Sequence, residues 1–282
     1  MIIFDSVSQI QAYLIKLKSE NKSIGFVPTM GALHQGHISL IQEAQKINQI
    51  VVCSIFVNPT QFNNANDFAK YPLTLLEDCK KLENVHCNIL FAPSVQEIYP
   101  NGTEYNLKFE IGNMDTIWDG AFRPGHFKGM IQVVARLLQI IQPNNLYMGL
   151  KDLQQFLIVK KYLKETQSNI QIHGLPTLRE PSGLALSSRN VRILNEHKTL
   201  ATQISQHLFQ AKNEILSGKN VKECIQKHQL LFKNLPFRLE YFELVNTDNL
   251  KSEKEIFPEK QYAIIFAAWL GEVRLIDNVL LN

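Results

Sequence analysis

Apolar positions along the chain fall into short unbroken runs that alternate with longer stretches of helical period. The runs at 24–27, 50–57, 88–91, 145–148 and 170–173 are apolar-rich and bounded by turn-forming residues, as expected of strands buried on both faces. Between them, 37–48, 72–84, 127–141 and 153–164 repeat apolar residues at three- and four-residue intervals, which predicts helices. Strands alternating with helices in this way predict a parallel sheet covered on both faces. The fold class is therefore α/β, a doubly wound, Rossmann-like parallel sheet. After residue 175 the pattern changes to a polar loop at 181–190, helical stretches at 195–216 and 221–232, and strand-like runs at 239–245 and 262–269. These predict a second, smaller α+β domain, so the expected division is 1–177 and 178–282. No repeat or low-complexity linker separates the two, and a shared cleft is expected in place of a flexible tether.

Composition narrows the function without naming it. With 45% hydrophobic and 20% charged residues, the 282-residue chain is that of a folded globular protein. A net charge of +3, from 29 basic and 26 acidic residues, is too small for a nucleic-acid footprint. The Lys-bearing stretch at 151–164 reads as a solvated helix face. Four cysteines without C-x-x-C spacing indicate neither a zinc knuckle nor a disulfide scaffold and suit a reducing cytoplasm. No apolar run is long enough for a membrane span, and the N-terminus carries no secretion pattern.

Candidate chemistry sits where strands give way to helices. After the 24–27 strand comes PTMGALHQGH, residues 28–37. Gly31 and Gly36 allow close backbone approach to a ligand, and a helix opening near His37 offers unpaired amides to an anion that His34 and His37 also reach. Neither GxxxxGK[ST] nor GxGxxG occurs at this turn, so a P-loop NTPase and a dinucleotide oxidoreductase are unsupported. Gln61 follows the second strand at the carboxyl edge of the sheet, with an amide that both donates and accepts. NLYMGLKDLQQ, residues 145–155, again joins strand to helix; Lys151 at its mouth can neutralise phosphate charge, and Asp152 suits a helix cap or a ribose contact. The 178–190 loop, LREPSGLALSSRN, presents Ser187, Ser188 and Arg189, side chains suited to phosphates and equally to a helix cap.

H-x-G-H after a strand resembles the nucleotidyl-transferase superfamily, and the longer 28–37 string resembles the pantothenate synthetase (pantoate–β-alanine ligase) family. The resemblance runs collinearly to about Arg192 and reappears at 241–245. It implies ATP-dependent condensation of (R)-pantoate with β-alanine through a pantoyl adenylate, giving pantothenate, AMP and diphosphate. It implies His37, His34 and Lys151 as catalytic residues. It places ATP against Met30, Gly31, Ala32, Leu33, His34, Gln35, Gly36, His37, Gly149, Leu150, Lys151, Asp152, Leu178, Leu186, Ser187, Ser188 and Arg189. Gln61 and Gln155 are implied to hold pantoate. It further implies Mg²⁺, with Glu77 and Asp78 where the family carries acidic residues associated with the metal, although a solvated helix face explains them equally well. A homodimer is also implied. Arg123 and His126, in FRPGHFKG at 122–129, match a family string; they are either close to substrate or structural, with the structural role weighted more. The chain departs from the family at Ser182, Leu73 and Leu150. Two other readings compete: a nucleotidyltransferase of the same H-x-G-H group acting on a phosphate, which two uncharged glutamines disfavour, and a non-catalytic nucleotide- or RNA-binding module.

Overall fold

The structure is a computed structural model, and it describes residues 1–62, 68–69, 71–103 and 107–281. Six parallel strands form the main sheet: β1 (Ile2–Phe4), β2 (Ile24–Thr29), β3 (Ile50–Ile55), β4 (Ile89–Phe91), β5 (Asn145–Gly149) and β6 (Gln171–Leu175), in the order β1-β4-β3-β2-β5-β6. From β2 the chain steps outward to β3 and β4, and then returns to place β5 on β2's other side. The boundary between β2 and β5 is thus the topological switch point, where doubly wound sheets open a crevice at the carboxyl ends of their strands. The register shows that opening. β2 pairs with β3 along all six residues, but with β5 only at Gly25↔Asn145 and Phe26↔Leu146.

The five strands expected from the apolar runs are all present, and two more lie outside those expectations: β1 at the sheet edge and β9 (Val273–Leu280). The expected helices appear as Gln35–Ile47, Leu75–Asn84, His126–Ile141 and Leu153–Glu165, joined by an N-terminal helix at Val7–Ser19. His126–Ile141 is buried almost all round, because it lies between the sheet and the Val7–Ser19 and Leu153–Glu165 helices.

The C-terminal part is an antiparallel sheet, β7 (Phe237–Asn246), β8 (Tyr262–Leu270) and β9, covered by the helices Lys198–Leu216 and Val221–Lys233. β8 explains how the two parts meet. Its alternate residues Tyr262, Ile264, Phe266, Ala268 and Leu270 join the core beneath the two helices, while Ala263, Ile265 and Ala267 join the core of the parallel-sheet part. A two-residue period with both faces apolar means that the small sheet is sandwiched, with one face seated on the larger part. Trp118 Nε1 donating to Leu250 O at 2.7 Å and the Arg274 ion pair with Asp119 tie the same junction with polar contacts, and Glu240 holds Arg274 from within the small sheet.

Candidate active site

Two adjoining cavities, of about 220 and 400 Å³, open at the β2/β5 crevice and extend beneath the C-terminal part, sharing Arg123, Lys151, Asp152, Ser187 and Arg189 in their walls. β2 ends at Thr29, and the chain turns through Met30 to Leu33 before His34 caps the Gln35–Ile47 helix. His34 Nδ1 accepts the Gly36 N–H at 3.1 Å, while His37 Nδ1 accepts the His34 N–H at 3.2 Å. This reciprocal box is normally built from Ser or Thr with Glu. Here it engages one nitrogen of each imidazole as an acceptor, which fixes the neutral ring's proton on Nε2. The rings lie 4.1 Å apart between centroids. Burial, followed by the charge of Lys151, lowers the His34 pKa to about 4; burial, followed by its neighbour His34 and then Lys151, lowers that of His37 to about 3. Both are neutral at pH 7 and offer Nε2–H as a hydrogen-bond donor, not a cation. Gly36 is required by close approach, since a Cβ there would sit 2.9 Å from His34 Nδ1 and Cε1.

The turn before the histidines is strained at Ala32, whose φ of 49° lies in the left-handed region that non-glycine residues avoid. Asp78 holds it. Its fully buried carboxylate accepts the Ala32 and Leu33 N–H groups, each at 2.8 Å, together with the Thr74 hydroxyl at 3.1 Å. Lys81 closes the same turn through Leu33 O at 2.6 Å. Asp78, the residue suggested for the metal, is thus engaged in holding the backbone and lines neither cavity. Glu77 lies on the exposed helix face.

Gln61 is presented by the short turn Pro59–Gln61, seated on the His126–Ile141 helix at Gly129. A Cβ at Gly129 would lie 2.2 Å from Thr60 O, so only glycine admits this approach. Asn58 fastens the turn by donating to Gly129 O at 3.1 Å and to Gln61 Oε1 at 3.2 Å. His126 Nδ1 donates to Gln61 O at 2.8 Å, which leaves Nε2 to accept from Arg123 Nη1 at 2.9 Å. Burial lowers the His126 pKa to about 4 and the Arg123 pKa to about 10. Arg123 and His126 therefore border the cleft and also brace Gln61, so the two roles the sequence left open for them coincide.

Of the two adjacent glutamines, Gln154 is buried and spent on Met114 O, Ile117 O and the Asp119 N–H. Gln155 faces the cleft and makes no side-chain hydrogen bond with other described residues. Lys151 lies at the entrance, its side chain 19% exposed and its Nζ 4.0 Å from Asp152 Oδ1. Apolar side chains that sequence patterning could not single out from the core, among them Phe56, Met130, Val133, Val134 and Leu137, line the cleft on the Gln61 side.

Most sequence-predicted residues converge here: Met30, His34, Gly36, His37, Gln61, Gly149, Lys151, Asp152, Gln155, Leu178, Leu186, Ser187, Ser188 and Arg189 all line the cleft. Gly31, Ala32, Leu33, Gln35 and Leu150 do not. Leu33 is core, and Leu150 packs at the edge of the large core with its carbonyl accepting from Asn278 Nδ2. The clamp loop is held at its base by Arg179, paired with Asp277 at 2.6 and 2.9 Å, and by the Leu186 N–H bond to Leu178 O. The departures Ser182 and Leu73 are exposed and line neither cavity. Arg192, Trp269, Glu272 and Arg274 complete the second cavity from the C-terminal part, without any motif that advertises them.

This arrangement recurs in known proteins. The chain is 45% identical to pantothenate synthetase of Azobacteroides pseudotrichonymphae and 41% identical to that of Bacteroides fragilis, over 98–99% of each chain. It superposes on the crystal structure of pantothenate synthetase from Thermus thermophilus with a TM-score of 0.92 at 36% identity, covering 100% of this chain and 99% of that one. The pantoate-β-alanine ligase from Francisella tularensis, described as complexed with β-γ ATP and β-alanine, matches with a TM-score of 0.81 at 40% identity, covering 100% and 98%. The family of pantoate-β-alanine ligases matches residues 2–280, and with the same fold carried across that span, this chain belongs to it.

Proposed function

We propose that the β2/β5 crevice aligns pantoate and ATP for the reaction of this ligase, with His34, His37 and Lys151 on the phosphates and Gln61 and Gln155 on pantoate. The chain is an ATP-dependent, AMP-forming ligase that condenses pantoate with β-alanine. In the first step a pantoate carboxylate oxygen attacks the α-phosphorus, the bond to the bridging oxygen breaks, and diphosphate leaves. No enzyme nucleophile is needed, so the protein's work is alignment and stabilisation of charge on phosphate oxygens. The observation that carries the assignment is the histidine capping box. With Nδ1 of each ring engaged, both neutral rings keep an Nε2–H donor, a preorganised pair beside the helix N-terminus and Lys151.

The Gln61 amide, braced from behind by Asn58 and His126, suits the hydroxyl and carboxylate groups of pantoate, and the apolar wall beside it suits the geminal methyls. In the second step the neutral amine of β-alanine attacks the acyl carbon and AMP departs. Residues 178–282 form the unit that closes over the ATP site, and Ser187, Ser188 and Arg189 take the outer phosphates while excluding water from the anhydride. For Mg²⁺ the donor set fits: Asp152 borders both cavities with its side chain half exposed, and the ion needs only one or two carboxylates beside substrate phosphates. When bound, the ion neutralises phosphate charge. Family membership supports a homodimer, checked by sedimentation. Location in the cytoplasm is supported by four free thiols, and no helix among the described residues is long and apolar enough to cross a membrane.

The deciding experiment measures diphosphate release from ATP with and without pantoate, then AMP and pantothenate after β-alanine is added. Release that needs pantoate and is completed by β-alanine is the expected outcome. Release with another acceptor would overturn the pantoate assignment, and ATP binding without release under any acceptor would favour a non-catalytic role.

A further inference from the structure

Outside the cleft, the two helices of the C-terminal part bring together three side chains of different chemistry. Glu214 comes from the last turn of Lys198–Leu216, and Cys224 and His228, four residues apart, share one face of Val221–Lys233. One ligand atom from each lies within 4.8 Å of the others. Glu214 Oε2 accepts a hydrogen bond from the Cys224 thiol at 3.4 Å and lies 3.7 Å from His228 Nε2, and none of the three lines the cleft.

Ion pairs and the thiol hydrogen bond account for Glu214 and Cys224 but not for His228. Lys227 and Lys219 approach Glu214 Oε1, at 2.5 and 3.4 Å, and leave Oε2 facing the thiol and the imidazole. His228 is fully buried, yet its Nε2 has no hydrogen-bond partner, a condition that buried polar atoms rarely tolerate. At 3.7 Å, Oε2 is too distant to accept from it. The opposite edge of the ring is engaged, because His228 Nδ1 lies 3.1 Å from His207 Nδ1, and one of that pair must donate. With His228 donating, its Nε2 carries a lone pair directed at the carboxylate oxygen, a repulsive arrangement that a cation between them would convert into coordination. A ligand histidine whose second nitrogen donates to a neighbour is the usual orientation in metal sites.

We propose that Glu214, Cys224 and His228 form a binding site for a zinc-class divalent cation, with His207 orienting His228 and water filling the fourth position. Sulfur, imidazole nitrogen and carboxylate oxygen together are a donor set for zinc, and they disfavour magnesium or calcium, which prefer oxygen alone. On binding, the Cys224 thiol gives its proton to solvent as the metal–thiolate bond forms, and thiolate and carboxylate together balance the ion's two charges. The ion would pin the two helices at the Gly218 turn that joins them.

The test titrates the chelator-stripped full-length protein with Co²⁺ and follows the near-ultraviolet thiolate-to-cobalt charge-transfer absorption. One Co²⁺ per chain, displaced by Zn²⁺, is expected. Cys224→Ser should abolish the band, and His207→Gln should weaken Co²⁺ binding by about 10- to 100-fold. Both variants should retain pantoate-dependent diphosphate release. The proposal is overturned if the unaltered protein shows no thiolate band at saturating Co²⁺, which requires no variant to fold. It is equally overturned if the band survives Cys224→Ser.

Discussion

At the scale of single residues, the site depends on groups that prevent others from moving. Gly36→Ala would place a methyl 2.9 Å from the His34 ring, so the ring must leave its bond to the residue 36 amide or the helix must shift. Misplacement of a catalytic donor by about 1 Å costs roughly 10²-fold, and a loss of that order in pantoate-dependent diphosphate release is expected with little change in thermal stability. Lys151→Ala should lower the same rate by about 10²- to 10³-fold, because it removes the cation proposed to face the phosphates while its backbone stays anchored through Asn278 Nδ2. Asp78→Asn separates two roles for that residue. An amide can accept from only one of the Ala32 and Leu33 N–H groups and sets a donor against the other, so urea denaturation should show a loss of about 1–3 kcal/mol. The Mg²⁺ concentration giving half-maximal rate should not change; a large shift would restore the metal role. The polar members of the site were legible in the sequence because H-x-G-H, G-x-K-D and S-S-R each mark a strand-to-helix or loop-to-helix turn. The role of Asp78 was not legible, because an acidic residue in a first helical turn reads alike whether it meets solvent, metal or, as here, a strained backbone.

At the scale of elements, what matters is which segments touch. The His126–Ile141 helix supports the Gln61 turn through one glycine, so Gly129→Ala, with its Cβ 2.2 Å from Thr60 O, must push the turn into the cleft or the helix back from it. Overpacking of this kind costs about 1–3 kcal/mol, measurable by denaturation. The expected kinetic signature is a raised KM for pantoate with that for ATP nearly unchanged; equal effects on both would mean that the turn does not serve pantoate. Strands inside the parallel sheet were readable because both of their faces are buried and their runs are unbroken. β1 escaped because three apolar residues followed at once by Asp5 and Ser6 are too short a run to carry a period, and β9 because charged and amide side chains at Arg274, Asp277 and Asn278 interrupt its apolar pattern. Those same polar residues serve the junction: Arg274 pairs across it with Asp119 and Asn278 with the carbonyls of Leu150 and Lys151, while Glu240 holds Arg274 and Asp277 holds Arg179 at the base of the clamp loop. The feature that hid the strand is the one that ties it to the site.

For the whole molecule, acid should act through the histidines that folding keeps neutral. His126 is 6% exposed, accepts from Arg123 and donates to Gln61 O, so protonating it would remove the acceptor and set two cations together. Its pKa falls from an ordinary value near 6.5 to about 4, and that of His37 to about 3. A base whose folded-state pKa is depressed contributes stability that is fully present above the unfolded value and is lost as pH falls through it, because the unfolded chain takes up the proton first. Stability should therefore be level with respect to these groups from pH 8 to about 7. It should then fall between pH 6.5 and 4 by on the order of 1 kcal/mol per pH unit for each such histidine, seen as a falling urea midpoint at constant slope. His126→Gln, which keeps a donor and an acceptor without titrating, should lessen that decline. Activity has a different dependence. In the proposed role His34 and His37 act as neutral donors and charge only near pH 4 and 3, so diphosphate release should show no loss centred at pH 6.5 while the protein stays folded. A rate that falls with a midpoint near 6.5 in the folded protein would mean that one of these imidazoles works in a state other than the one its burial and its capping bonds impose.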